Sequence, residues 1–425
     1  MPRDAPSQPK DSRSRLLLAP VMAGAVVATG AAAGAAGGVL TLLLHLVQHL
    51  SFGYTEDTFL LGVEHASAAR RVAALAVGGA AVGPAWWWLR RGGAAFVSVD
   101  AALRQPEPRL PFVATVTDAV VQIAAVGVGA SLGREGAPRQ VGAAAASWIA
   151  DRLNVSGVQR RTLLASGAGA GLAAVYNVPL GGALFAAEIL LGSAALVDVV
   201  PALLSSGIAT AVAWSVLGDR PTYVVAGVGF HYSVLGWAFL CGPLAGVTAR
   251  GFNALMVAAR ELAPTGWRLV VAVATVFTLL GVTAIWFPQL LGNGKGPAQL
   301  AFDATLSLPM VAALTLLKPL ATAACLASGA RGGLLTPALA TGALLGSLTG
   351  ALWQHLWSGG AVTAFALVGA AAVLAATQQA PLTAIVLVIE FTHTGQALIV
   401  PIVVAVALAV GVERVIAHRT EPEHA

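Results

Sequence analysis

The 425-residue chain is predicted to be an all-α polytopic membrane protein made of two related halves, and three observations carry that prediction. Of its residues 57% are hydrophobic and only 10% charged, against roughly 25% charged in an ordinary soluble domain. Its apolar runs far exceed the ten or so alternating residues of a membrane β-strand, which argues against a barrel. The chain also repeats itself. GAGAGLAAVYNVPLGGALFAAEIL, residues 167–190, lies over GAAAVLAATQQAPLTAIVLVIEFT, residues 369–392, without a gap, with nine of 24 positions identical. Alanine richness inflates that count, but it does not produce Pro179 over Pro381 or Glu188 over Glu390. Their offset of 202 is nearly reproduced by residues 133–138 over 332–337, offset 199. Duplicated halves with broken helices meeting at the midplane are a general plan for membrane transport sites.

Residues 1–15 are polar and form a tail. A first membrane helix is expected over 16–50, with no small-residue cleavage pattern that would make it a signal peptide. Residues 51–68, with Glu56, Asp57, Glu64 and His65, read as an aqueous loop. A second span over 70–91 ends in Trp86, Trp87 and Trp88 beside Arg90 and Arg91, an interfacial belt with snorkelling cations. A short helix at 98–104 and a turn holding Pro106, Pro108 and Pro111 lead into a span over 112–130.

After residue 138 the apolar pieces become short and glycine-bounded, at 138–150, 160–175, 179–192 and 196–217. Several fall short of the about 20 residues that cross a hydrocarbon core of about 30 Å, so half-helices meeting inside the membrane are expected. Residues 218–232 read as an aqueous connection. The pattern then restarts with spans at 233–260 and 267–287, a Gly/Pro loop at 292–297, and pieces at 310–327, 334–350, 361–376, 381–392 and 396–411. The organisation expected is a tail 1–15, a first half 16–217, a connection 218–232, a second half 233–412 and a tail 413–425.

Arg3, Lys10, Arg13 and Arg15 precede the first apolar run, and Arg414, His418 and Arg419 follow the last. The positive-inside rule puts both tails in the cytosol and the protein in a cell membrane. A net charge of +5 gives no reason to expect nucleic acid. Cys241 and Cys325 fall inside apolar segments and read as small hydrophobes, so no metal or disulfide framework is expected. Glycine pairs such as Gly30/Gly34 and Gly167/Gly171 read as packing devices, because no Gly-Lys-Ser/Thr phosphate loop follows them. No nucleophile with base and orienter is apparent, so enzyme activity and cofactors are not expected.

The chemistry concentrates in GREGAP, residues 133–138. A carboxylate at mid-bilayer depth costs roughly 2.5–3.5 kcal/mol, so Glu135 calls for a use. Gly133 and Gly136 let backbone approach a ligand, and Pro138 reads as the opening of a helix whose free N–H groups point back at Glu135. Such a helix start attracts either a carboxylate or an inorganic anion. Glu135 is accordingly the expected gate and proton acceptor. Arg134 is expected to contribute its backbone N–H and a long-range field, and Arg139 to add positive potential or to face water.

These residues resemble the CLC family of chloride channels and proton/chloride antiporters. GREGAPRQVG is similar to the family's GREGP segment, with Glu135 at the position of its gating glutamate. SGAGAGLAAVYNVPLGGALFAAE, LLKPLATAACLASGARGGLLTPALATGALLG and AATQQAPLTAIVLVIEFT are similar to its later motifs, in family order. The resemblance implies a CLC-like inverted repeat with broken and re-entrant helices, a homodimer with one pore per subunit, and membrane lipid, protons and a small anion, chloride by default, as partners. It also carries anion binding onto Gly133, Arg134, Gly136, Leu334, Leu335 and Thr336.

Five features depart from the pattern, one of them inside GREGAP itself, where Pro138 falls one place late and Arg139 is introduced just inside the helix. The family's GSGIP serine falls where residues 93–97 read Gly-Ala-Ala-Phe-Val, with Ala94 in place of the hydroxyl. Its GxFxP motif reads Gly333-Leu334-Leu335-Thr336-Pro337, without the aromatic. Its pore tyrosine has no counterpart, since no tyrosine follows Tyr232, and its inner proton glutamate is Ile189. Glu188 and Glu390 are expected to accept from neighbouring helix N–H groups or to pair with Lys318. Glu188 is also the candidate proton relay, because the usual position is apolar. Ser98 and Ser166 are minor candidates for a hydroxyl ligand, and His393 reads as interfacial. Proton-coupled antiport of a small inorganic anion through Glu135 is the expected function, with passive conduction and a non-transporting membrane subunit as alternatives.

Overall fold

Small residues and broken helices set the architecture. In the computed structural model residues 12–55, 58–91 and 97–420 are described, and among them the regular structure is helical. The outer parts of both tails, Glu56, Asp57 and the stretch containing Ala94 lie outside the described residues. The first half holds α1 (Ser12–Phe52), α2 (Phe59–His65), α3 (Ala68–Arg91), α4 (Val99–Leu103), α5 (Phe112–Gly127), α6 (Gly136–Arg152) and α7 (Gly157–Tyr176). It is completed by α8 (Pro179–Leu184), which continues as a π-helix over Phe185–Leu191, and α9 (Leu196–Leu217). The second half holds α10 (Tyr232–Glu261), α11 (Arg268–Thr283), α12 (Lys295–Phe302) and α13 (Leu308–Ala327). Then come α14 (Leu335–Trp353), α15 (Val362–Gln378), α16 (Pro381–Thr392) and α17 (Ile399–Thr420). Among the described residues seven helices are long and apolar enough to cross a membrane.

The two halves interlock reciprocally, as an inverted repeat requires. Glu188, in the π-helical end of α8, accepts from Leu382 N (3.1 Å) and Thr383 N (2.7 Å) at the start of α16. Glu390, near the end of α16, accepts from Leu180 N (3.0 Å) and Gly181 N (2.7 Å) at the start of α8. Each carboxylate satisfies amides that a helix start leaves without intrahelical partners. Nearer the centre, Gly133 and Gly333 exchange two backbone hydrogen bonds of 2.8 Å, an isolated antiparallel bridge between the halves. Lys318, fully buried in α13, does not pair with either glutamate. It gives its three protons to Ser131 Oγ, Leu290 O and Gly292 O and so ties two inter-helix loops to α13.

Several sequence expectations need correction. The loop expected over 51–68 contains α2, whose Val63 is fully buried. The Gly/Pro loop at 292–297 is cut short, because Gly294 takes a left-handed φ of 98° and α12 starts at Lys295. The tryptophan triplet is not a uniform belt: Trp86 is fully buried and Trp88 is 66% exposed. At 3.6 residues per turn, three consecutive side chains cannot share one helix face. Within the connection 218–232, Tyr223 is buried, its N–H bonded to Phe391 O and its ring against Phe302 and Phe391.

Helices α6 and α7 lie backbone to backbone. A side chain on Gly171 would collide with the Pro138 carbonyl, and one on Gly142 with that of Gly167. Close approach through small residues is how membrane helices gain packing without a hydrophobic driving force. Gly171→Val should therefore lower stability in detergent by at least the ~1–3 kcal/mol usual for overpacking. Gly207→Ala, whose methyl would meet nothing within 4 Å in the interior of α9, should not lower it and should raise it by up to about 1 kcal/mol. Thermal unfolding of the two purified variants checks both.

Candidate functional site

Glu135 stands immediately before α6, but its side chain makes no bond to its own helix. That helix opens at Gly136, and Pro138 lies inside its first turn, where a missing N–H costs nothing. The carboxylate crosses instead to the start of α14, in the other half. Its Oε1 accepts from Leu335 N (2.7 Å) and Thr336 N (3.3 Å). Its Oε2 accepts from Thr336 Oγ1 (2.9 Å) and from the Tyr176 hydroxyl (3.1 Å). The two hydroxyl oxygens are themselves 2.8 Å apart. Glu135 is fully buried, so the positive end of α14 and four donors replace water around it.

A cavity of about 780 Å³ ends against this knot, closed there by Gly136, Gly333, Leu334 and Leu335. Arg90, Arg139, Arg260 and Arg331 line it, as does Ile189. Behind its wall Asp118, buried in α5, pairs with Arg331 at 3.1 Å and accepts from Gln122 Nε2 at 2.6 Å. Gln122 Oε1 lies so close to Gly136 that a Cβ there would stand 2.7 Å from it.

Of the residues singled out in the sequence, Glu135, Leu335 and Thr336 meet directly, while Gly136 and Leu334 face the cavity. Gly133 gives its N–H to Gly333 O. Arg134 donates to Val175 O at 3.1 Å, with its guanidinium 4.7 Å from the Tyr176 ring centre. Glu188 lies apart from this group, at the start of α16. Ser98 caps α4 and lines the cavity, and the Ser166 hydroxyl is buried without a hydrogen-bond partner.

Sequence reasoning missed Tyr176 and the Asp118–Arg331 pair. Tyr176 closes α7 just before Asn177 turns left-handed (φ 58°), and a polar ring at such a helix break was the available signal. For Asp118 the signal was an acid inside an apolar helix.

Comparison with known proteins gives a consistent picture. Residues 78–414 match the family model described as voltage gated chloride channel. The chain is 32% identical over 297 residues to the H(+)/Cl(-) exchange transporter ClcA of Cronobacter sakazakii, a match covering 66% of this chain and 62% of that protein. It is 32% identical over 311 residues to the voltage-gated ClC-type chloride channel ClcB of Escherichia coli, covering 69% of this chain and 71% of that one. Among solved structures, a slow cyanobacterial Cl-/H+ antiporter superposes with a TM-score of 0.82 at 21% identity, over 93% of this chain and 95% of that one. A CLC-type fluoride/proton antiporter superposes with a TM-score of 0.75 at 18% identity, over 95% and 97%. The all-helical inverted repeat and these matches place the chain in the voltage-gated chloride channel (CLC) family, whose members are transporters and channels rather than enzymes.

Proposed function

We propose that this protein moves a small inorganic anion, chloride by default, across a cell membrane in exchange for protons, with Glu135 as gate and proton acceptor. The observation that carries this is the donor set on the Glu135 carboxylate: two backbone N–H groups and two hydroxyls, with no cation in contact among the described residues. Every one of these donors suits a small anion equally well. Carboxylate and anion therefore compete for one place, and the anion enters when the side chain leaves.

Protonation drives that exchange. The two hydroxyls hold two protons for three oxygen–oxygen contacts, among Tyr176, Thr336 and Glu135 Oε2. A proton on Oε2 completes the triangle and removes the negative charge that binds Glu135 to the helix start. Gly133, Arg134 and Gly136 contribute backbone and field around the same place, and Leu334 closes it on the cavity side. The relatives' names, an exchanger and a channel, agree with anion movement.

For the inner leg of the proton path Glu188 is the candidate, because Ile189 beside it lines the cavity and cannot titrate. Passive conduction is the second reading, and the same isoleucine favours it. We also infer that both termini face the cytosol and that the chain works as a homodimer in lipid. Leu180, Val197, Val200 and Leu382, each more than half exposed, give α8, α9 and α16 an apolar outer face for a second copy.

Flux from purified proteoliposomes, with chloride and pH recorded on one sample, tests the reading. Uphill proton movement driven by an anion gradient is expected. Anion flux without proton movement identifies a channel, and no flux for any anion a non-transporting subunit. Glu135→Gln should abolish proton movement and flatten the pH response while anion flux persists, whereas in the unmodified protein flux should rise as pH falls. Tyr176→Phe and Thr336→Val should each weaken anion affinity severalfold, in line with the ~0.5–1.5 kcal/mol of a neutral hydrogen bond. Glu188→Gln should stop proton counter-movement with anion flux retained. A loss of thermal stability with coupling intact would instead reduce Glu188 to a helix cap.

A further inference from the structure

Helix α7 ends at Tyr176, the residue whose hydroxyl reaches Glu135, and a helix end leaves its last four carbonyls without intrahelical donors. Two of these carbonyls are served by side chains from elsewhere in the chain. Arg134 Nη2 donates to Val175 O at 3.1 Å, from the segment that carries Glu135. Thr222 Oγ1 donates to Tyr176 O at 2.8 Å, from the connection between the two halves. Thr222 and Tyr176 are both buried, so this second bond forms away from competing water.

The connection is tied to the same helix break at further points. Asn177 takes the left-handed conformation (φ 58°) that ends α7, and its side-chain oxygen accepts from Trp214 Nε1 at 2.8 Å. Its Nδ2 donates to Asp219 Oδ1 at 2.7 Å and to Arg220 O at 3.2 Å. Pro221 then fixes a backbone dihedral immediately before Thr222. On the other side Tyr223 N donates to Phe391 O at 2.8 Å, and the Phe391 ring centre stands 5.3 Å from that of Tyr176. Residues 219–223 thus form a strap across the α7 break, anchored to α16 and bonded through Thr222 to the backbone of Tyr176.

A tyrosine has only two side-chain torsions, so where its backbone is held decides where its hydroxyl points. The Tyr176 hydroxyl serves Glu135 Oε2 at 3.1 Å and Thr336 Oγ1 at 2.8 Å, and such bonds weaken steeply once the geometry is lost. We propose that Thr222 is a positioning residue for the anion site, acting through Tyr176, so that the connection between the halves sets the affinity of the donor set at α14. Among the described residues Thr222 makes no hydrogen bond to Glu135 or Thr336. Its role rests on the reading of Tyr176 as a donor shared by carboxylate and anion, and adds to that reading a residue outside the site.

Chloride titration calorimetry on the Glu135→Ala protein, which has no carboxylate to compete, tests this role. Thr222→Val keeps the side-chain shape and removes the hydroxyl. It should weaken chloride binding by about two- to tenfold, the range of a neutral hydrogen bond. Thr222→Ser keeps the hydroxyl and should bind as tightly as the Glu135→Ala parent. Added to Tyr176→Phe, Thr222→Val should weaken binding no further, because the hydroxyl it positions is already gone. A merely structural threonine would change the thermal midpoint and leave affinity alone, or would weaken binding equally with and without the Tyr176 hydroxyl. Either result overturns the role, as does a Thr222→Ser protein that binds as weakly as Thr222→Val. If the Glu135→Ala protein binds no chloride, or Tyr176→Phe leaves its affinity unchanged, the shared-donor reading fails and the role of Thr222 fails with it. If Tyr176→Phe weakens binding and Thr222→Val does not, the shared-donor reading stands and the positioning role alone is lost.

Discussion

A carboxylate that ignores its own helix and completes the start of another is the interaction on which this structure turns. Glu135 belongs to the first half, and the amides it satisfies belong to α14 in the second. Nothing local could hold it there. The Gly133–Gly333 bridge fixes the two segments against each other, and Lys318 ties the loop before Glu135 and the loop before α12 to α13. The glycines of α6 and α7 then let the helix behind Glu135 pack closely enough to bring it within reach. Remove that framework and the site is a buried negative charge with no solvation, which a membrane interior does not tolerate.

Charge around the cavity is distributed with the same economy. Arg331 is offset by Asp118, and Arg90 is bound to a backbone carbonyl, so their fields are tied to structure. Arg139 and Arg260 also line the cavity, Arg139 in the first turn of α6, four residues after Glu135. The Arg139 guanidinium lies over the Phe185 ring, 4.1 Å from the ring centre, and an arginine so placed keeps its charge.

Much of this was legible in the chain. Residues 196–217 and 381–392 were read with the bounds that α9 and α16 have, because glycine, proline or a left-handed turn stands at their ends. The repeat was visible because Pro179/Pro381 and Glu188/Glu390 are helix-start and capping chemistry, which tolerates few other residue types. What stayed hidden depends on contacts some 200 residues apart. That Glu135 reaches α14 instead of capping α6, and that Tyr176 meets Thr336, are facts of tertiary packing with |i−j| of 200 and 160. The tryptophan triplet was misread for a simpler reason: the rotation between neighbours on a helix sends consecutive side chains to different surroundings.

The reciprocal caps bear on how the molecule comes into being. The first amides of α8 receive their acceptor from Glu390, 210 positions later. At about 5–20 residues per second, the ribosome needs roughly 10–40 s to make that acceptor. During that interval the first amides of α8, which a helix start leaves without intrahelical acceptors, lack the partner they have in the finished fold. Biogenesis therefore includes a waiting state, in which the nascent first half depends on water, lipid headgroups or the insertion machinery until its counterpart arrives.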